Sequence, residues 1–210
     1  QDAKGWKCKA ADGTWYTNCW KELTYQNEKS WYRFDAQGYL VTGWYQDNGT
    51  WYYMNPKSDG KLGKMMTGWQ YINDIWYYFT ENAGDKQGAM FCKRWAEVPY
   101  NGTVEWYYFD ENGTMKTDWL TLDANKFYLY PIADGTRGRM LTGWQKIGSS
   151  WYYMNASGAM QTGWKRIDGS WYFFNGGGVM KTGWLKNGGN WYFLNGGGVM
   201  KTGWVKTGGK

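Results

Sequence analysis

The chain has 210 residues, a net charge of +6 and no histidine. Its charges are scattered, which excludes the basic stripe that duplex nucleic acid demands, and no apolar run reaches the length of a membrane span. Leu, Ile, Val and Phe are only 28 residues, too few for an ordinary aliphatic core, but aromatic side chains make up 21% of the chain and 31 glycines recur at regular positions.

The predicted elements are β-hairpins, each opening on a Gly-Trp strand and returning on a Trp-Tyr strand. Residues 1–42 form an irregular N-terminal cap and two hairpins, Trp6 with Trp15 and Trp20 with Trp31. Residues 43–142 carry longer repeats. Trp44 pairs with Trp51 about an Asn48-Gly49 turn, Trp69 with Trp76, and Trp95 with Trp106 across a turn lengthened over residues 98–103. Trp119 follows, with Phe127 where a second tryptophan is expected. Residues 143–210 repeat with a period of 20: GWQKIGSSWYYMNASGAMQT, GWKRIDGSWYFFNGGGVMKT and GWLKNGGNWYFLNGGGVMKT. Their turns include Asp168-Gly169 and Gly188-Gly189, strong two-residue hairpin signals. A lone hairpin is marginal in water, so the period predicts an all-β repeat solenoid of roughly nine stacked hairpins, one continuous body.

Strand alternation assigns the faces. Counting from the second aromatic as position zero, position +1 is tyrosine throughout, and it shares a face with position +3: Asn18, the one polar exception, then Phe34, Met54, Phe79, Phe109, Tyr130, Met154, Phe174 and Leu194. This is the expected core. Positions zero and +2 share the other face, the expected ligand face. In the sixth unit Phe127 is taken as zero, which puts Tyr128 at +1 and Leu129 at +2. The plainer alternative is that the second face is another packing seam.

With no histidine, no nucleophile motif and no inward carboxylate pair, catalysis is not expected, nor is a cofactor or a metal. Asp35, Asp47 and Asp110 fall in turns, where carboxylates hold backbone. Any catalytic domain is expected outside this chain. No signal peptide is recognised, so Gln1 reads as a mature or recombinant start. A Cys8–Cys19 disulfide is left open, and Cys92 reads as a buried thiol.

The unit GW-x5/6-WYY-x4-G-x-M-x-T-GW resembles the choline-binding, or cell-wall-binding, repeat of Gram-positive and phage surface proteins. The resemblance implies a left-handed β-solenoid with choline groups of teichoic or lipoteichoic acid caged between neighbouring hairpins. Each cage would take both tryptophans of one hairpin and the +2 aromatic of the next, often closed by a methionine or leucine of the connection. Carried over, Trp20 and Trp31 would meet Tyr53; Trp44 and Trp51 would meet Tyr78, with Met65; Trp69 and Trp76 would meet Tyr108, with Met90. Trp144 and Trp151 would meet Phe173, with Met160; Trp164 and Trp171 would meet Phe193, with Met180. Three junctions depart from the pattern: Trp6 and Trp15 face Arg33, Trp95 and Trp106 face Leu129, and Trp119 pairs with Phe127 opposite Tyr153. Trp184 and Trp191 form an open cage. The implied partners are choline and phosphocholine of wall polymers, at a secreted, cell-surface or wall-associated location, with no nucleic acid, no membrane insertion and a homodimer through the C-terminal hairpin as an open option. The alternatives are glucan- or host-glycan-binding repeats, as in glucosyltransferase tails and clostridial toxins, and a purely structural stalk or protein-interaction surface.

Overall fold

The computed structural model describes residues 4–82, 86–100 and 102–204, and every regular element among them is a β-strand. Two compact units divide the chain: residues 1–96 with 108–115, and residues 97–107 with 116–210. In the first, β1 (Cys19–Tyr25) pairs with β2 (Glu28–Phe34), β3 (Gly43–Asp47) with β4 (Thr50–Met54), and β5 (Gly68–Ile72) with β6 (Ile75–Phe79). Strands β7 (Arg94–Tyr100) and β8 (Thr103–Phe109) give residues to both units. In the second, β9 (Asp118–Leu122) pairs with β10 (Asn125–Leu129), β11 (Gly143–Ile147) with β12 (Ser150–Met154), and β13 (Gly163–Ile167) with β14 (Ser170–Phe174). There β15 (Gly183–Asn187) pairs with β16 (Asn190–Leu194), to which β17 (Met200–Lys201) adds a short third strand. All pairings are antiparallel, and the expected all-β hairpin repeat is the observed fold.

Turn chemistry sets the register. Asn48 and Gly49 sit at φ 47° and 80°, and Asp168 and Gly169 at 46° and 79°, the doubly positive pair of a type I′ turn whose twist matches the strands. With two residues in the turn, Trp44 lies opposite Tyr53, Gln46 opposite Trp51, Tyr45 opposite Tyr52 and Gly43 opposite Met54. Cross-strand partners share a face. Trp44, Trp51 and Tyr53 therefore point one way, Tyr52 and Met54 the other. Position +3 is the core: Met54, Phe79, Phe109, Met154, Phe174 and Leu194 are all 0% exposed. Enclosing one such side chain stabilises the fold by about 1.5–3 kcal/mol.

One register differs from the sequence expectation. Leu129 lies opposite Asp118 and Lys126 opposite Thr121, so Lys126 is position zero and Leu129 position +3. The turn closes over Asp123 and Ala124, with Asp123 at φ 52°. Counting back from the first aromatic slides this strand by one residue, and a one-residue slip exchanges its faces. Leu129 is accordingly a core residue, fully enclosed, whereas Tyr130 is half-buried and donates its hydroxyl to Asp134 at 3.0 Å.

The connections tie each hairpin to the one before it. In the first unit the backbone N–H groups of Met65, Met90 and Met115 donate to the carbonyls of Trp31, Trp51 and Trp76 at 2.9, 2.8 and 3.0 Å. In the second, Met140, Met160 and Met180 donate to Trp106, Lys126 and Trp151 at 2.7, 2.7 and 2.8 Å. Each of these six methionines also bridges back to position +3 of the hairpin it follows. Gly88 shows why the Gly-x-Met unit needs its glycine: φ is +79°, and a Cβ there would overlap the Met65 sulfur of the preceding connection. Asp35, Asp110, Asn155, Asn175 and Asn195 each accept two backbone N–H groups, two and four residues on, and so shape these turns.

Candidate functional site

The hairpins within a unit stack head to tail, so unlike faces meet. The tryptophan face of one hairpin looks onto the +1 and +3 side chains of the next. Trp44 lies 4.9 Å from Tyr77 and 5.9 Å from Phe79, centroid to centroid. Trp144 lies 4.8 Å from Tyr172, Trp164 4.8 Å from Tyr192, and Trp20 4.9 Å from Tyr52. The two tryptophans of a hairpin stand nearly perpendicular: Trp44 and Trp51 at 6.2 Å and 89°, Trp144 and Trp151 at 6.3 Å and 84°, Trp164 and Trp171 at 6.4 Å and 85°. Two indoles and a phenol thus wall a corner between hairpins. It is not filled by packing, since Trp44 and Trp51 keep 37% and 40% of their surface exposed and Trp151 and Trp171 keep 41% and 43%.

This geometry corrects the expected third wall. Tyr53, Tyr78, Tyr108, Phe173 and Phe193 do not close the tryptophan pair of the preceding hairpin. Each lies beside the first tryptophan of its own hairpin: Tyr53 on Trp44 at 5.0 Å, Tyr78 on Trp69 at 5.2 Å, Tyr108 on Trp95 at 5.3 Å, Phe173 on Trp164 at 5.2 Å and Phe193 on Trp184 at 5.2 Å. The reason is the register: position +2 and the Gly-Trp tryptophan are cross-strand partners and share one face. The +1 tyrosines therefore serve both core and corner. Tyr52 is buried, while Tyr77, Tyr172 and Tyr192 are half-buried.

The methionines also move by one repeat. Met65 packs with Tyr52 against Trp20 and Trp31. By the carbonyl each engages, Met90 belongs to the Trp44–Trp51 corner rather than that of Trp69 and Trp76, which takes Met115. Met180 likewise belongs to Trp144–Trp151, and Met160 to Trp119. Met200 comes to the Trp164–Trp171 corner, because β17 lies against β14. Sequence reasoning missed Met115 and Met200. Register counting would have found them, because a connection must return across its own hairpin before reaching the previous one.

Four corners have all their residues within one unit: Trp20–Trp31–Tyr52–Met65, Trp44–Trp51–Tyr77–Met90, Trp144–Trp151–Tyr172–Met180 and Trp164–Trp171–Tyr192–Met200. Trp69 and Trp76 make the same perpendicular pair at 6.1 Å and 88°. Trp95 and Trp106 fall in different units. Trp184 and Trp191 keep the 86° angle and are 58% and 62% exposed.

Electrostatics differ among corners. Arg33 is buried and is the cross-strand partner of Trp20. It donates to the Tyr45 hydroxyl, the Phe34 carbonyl and Asn18 at 2.7, 2.7 and 2.5 Å, which puts a fixed positive charge beside Trp20 rather than opposite Trp6 and Trp15. Asp47, expected to hold backbone, instead accepts the Trp20 indole N–H at 2.8 Å. Burial, and then the Asp47 charge, push the Tyr52 phenol above its ordinary range. Tyr78 is held far above that range by burial and by its 2.8 Å hydrogen bond to Glu81, so it stays neutral. At the N-terminus Trp6 borders a cavity of about 620 Å³ with Tyr32, Phe34 and Leu40, and the Trp15 ring is faced by the Lys9 ammonium at 4.7 Å. Cys8, Cys19 and Cys92 are free thiols, and Cys92 is exposed rather than buried.

The chain matches two family models. Residues 161–204 match the choline-binding repeat, and residues 42–62, 67–84, 105–115 and 142–160 match a cell wall binding repeat. No curated protein matches it. Among solved structures it is similar to CbpJ from Streptococcus pneumoniae, with 30% identity over 94% of this chain and 70% of that one and a TM-score of 0.77. Choline binding protein F from Streptococcus pneumoniae, solved in the presence of a peptidoglycan analogue, is 33% identical over 94% and 70%, with a TM-score of 0.74. CbpF in complex with ipratropium is 31% identical over 94% and 71%, with a TM-score of 0.70.

Proposed function

This chain belongs to the choline-binding repeat family, and from that premise we propose that it holds choline-decorated teichoic or lipoteichoic acid at the cell wall through the aromatic corners between its hairpins. The observation that carries this reading is the partly exposed, perpendicular tryptophan pair repeated at Trp44–Trp51, Trp69–Trp76, Trp144–Trp151 and Trp164–Trp171. A packing seam would bury those indoles as completely as it buries Phe79 and Phe174. An open corner of ring faces suits a cation that cannot donate a strong hydrogen bond, and trimethylammonium is such a cation. The ipratropium complex of CbpF is consistent, because that ligand too carries a quaternary nitrogen.

Each ring contributes about 0.5–2 kcal/mol, depending on how dry it is. Three rings, less the cost of association, place a single site near millimolar affinity. Repetition at fixed spacing then converts weak sites into tight attachment to a polymer by effective concentration. Tryptophan fluorescence titrated with choline and with ethanolamine tests the reading. Choline should bind in the low millimolar range and ethanolamine much more weakly, because a bare ammonium keeps its water. An equal response to both amines, or a response to glucan alone, would move the function to the carbohydrate class.

A further inference from the structure

In the second unit one corner is built on the same backbone but carries a different wall. Position zero is Trp151 in β12, Trp171 in β14 and Trp191 in β16, and in β10 it is Lys126. The frame around it is unchanged. The Lys126 carbonyl accepts the Met160 N–H at 2.7 Å, as the Trp151 carbonyl accepts that of Met180 at 2.8 Å. Trp119 keeps its partners, Tyr128 at 4.9 Å and Tyr152 of the next hairpin at 5.1 Å. Only the second indole is missing, and the Lys126 ammonium stands 4.5 Å from the Trp119 ring centroid. Among the described residues that ammonium has no carboxylate partner.

We propose that Lys126 is a built-in cation that occupies the Trp119–Tyr152–Met160 corner and excludes choline from it. The site is complete with respect to charge, because the ring face that would receive a quaternary ammonium already holds a primary one. The lysine is the second residue of β10 after the turn, so it competes for the ring face from within the chain, against a ligand whose own affinity is only near millimolar. An entering choline must displace the ammonium into water or share the corner with a like charge, and both oppose binding. Lys126 thereby determines how many cations the second unit takes.

This inference rests on the choline reading, and two measurements separate their failures. In the first, methionine methyl resonances follow a choline titration of the full chain. Met180 reports the intact Trp144–Trp151 corner and Met160 the Lys126 corner. Met160 should stay unmoved, or need at least tenfold more choline than Met180. In Lys126→Trp the Met160 midpoint should fall to within about threefold of that of Met180, and in Lys126→Met it should fall partway. Met160 titrating together with Met180 in the unmodified protein would overturn the proposal, as would a Met160 that stays silent in Lys126→Trp while Met180 responds. The second measurement needs no choline. The Lys126 ε-methylene protons should be shifted upfield by the Trp119 ring, and Trp119→Leu should abolish that shift. A Lys126 resonance among the ordinary lysines means that no internal cation is seated, whatever choline does. Silence of Met180 together with an upfield Lys126 would discard the choline reading and leave the seated cation standing.

Discussion

Replacing Tyr172 by leucine separates the two readings of the third wall. Tyr172 lies 4.8 Å from Trp144 and closes the Trp144–Trp151 corner from the next hairpin, whereas its neighbour Phe173 lies on Trp164, one gap further on. Tyr172→Leu removes one of three rings while keeping an apolar group of moderate size. One ring is worth about 0.5–2 kcal/mol, which corresponds to a loss of about 2- to 30-fold in affinity at that corner. The methyl resonance of Met180, whose N–H is bonded to the Trp151 carbonyl, reads this corner directly. Its choline midpoint should rise by that factor in Tyr172→Leu and move by less than twofold in Phe173→Leu. The Met90 methyl, in the other unit, should be unaffected by either change. If Phe173→Leu raises the Met180 midpoint and Tyr172→Leu does not, the head-to-tail meeting of unlike faces is wrong.

Three further outcomes are expected. Phe174→Ala should cost about 3–5 kcal/mol in urea unfolding because the ring is 0% exposed, whereas Trp151→Ala, starting from 41% exposure, should cost distinctly less while removing one site. Gly88→Ala should cost about 1–3 kcal/mol by the same measurement, since it combines φ of +79° with a clash against Met65, and should weaken the Trp20–Trp31 corner that Met65 closes. Burial raises the phenols of Tyr52 and Tyr107, the latter to about 12, so the folded state favours their neutral forms. That stabilisation is complete below the ordinary tyrosine range and is lost as pH climbs through the folded values. Melting temperature should therefore be level from about pH 7 to 9 and fall from about pH 10 toward 12.

Much of this was legible in the residues. Asn48-Gly49 and Asp168-Gly169 announce their turns because only a few residue types accept two successive positive φ values. Met54, Phe79 and Phe174 could be placed in the core by alternation alone. The corner itself was only half legible. Alternation correctly puts Trp44, Trp51 and Tyr53 on one face, but it does not say which face of the next hairpin meets them. Stacking by translation makes that face the one bearing Tyr77, and it also sends Met65 back to Trp31. Lys126 was hidden for a different reason: Phe127, an aromatic one residue further on, resembles a displaced ring, and only the turn at Asp123 and Ala124 reveals the true register.

Where the ligand sits decides which aromatic is the third wall, so a crystal structure of the choline-saturated protein is the most direct test. Trimethylammonium density is expected at Trp44–Trp51–Tyr77, Trp144–Trp151–Tyr172 and Trp164–Trp171–Tyr192, with the nitrogen within about 6 Å of each ring centroid. Density lodged instead against Tyr53, Phe173 or Phe193 on the tryptophans of the preceding hairpin, or corners left vacant at saturating choline, would contradict it.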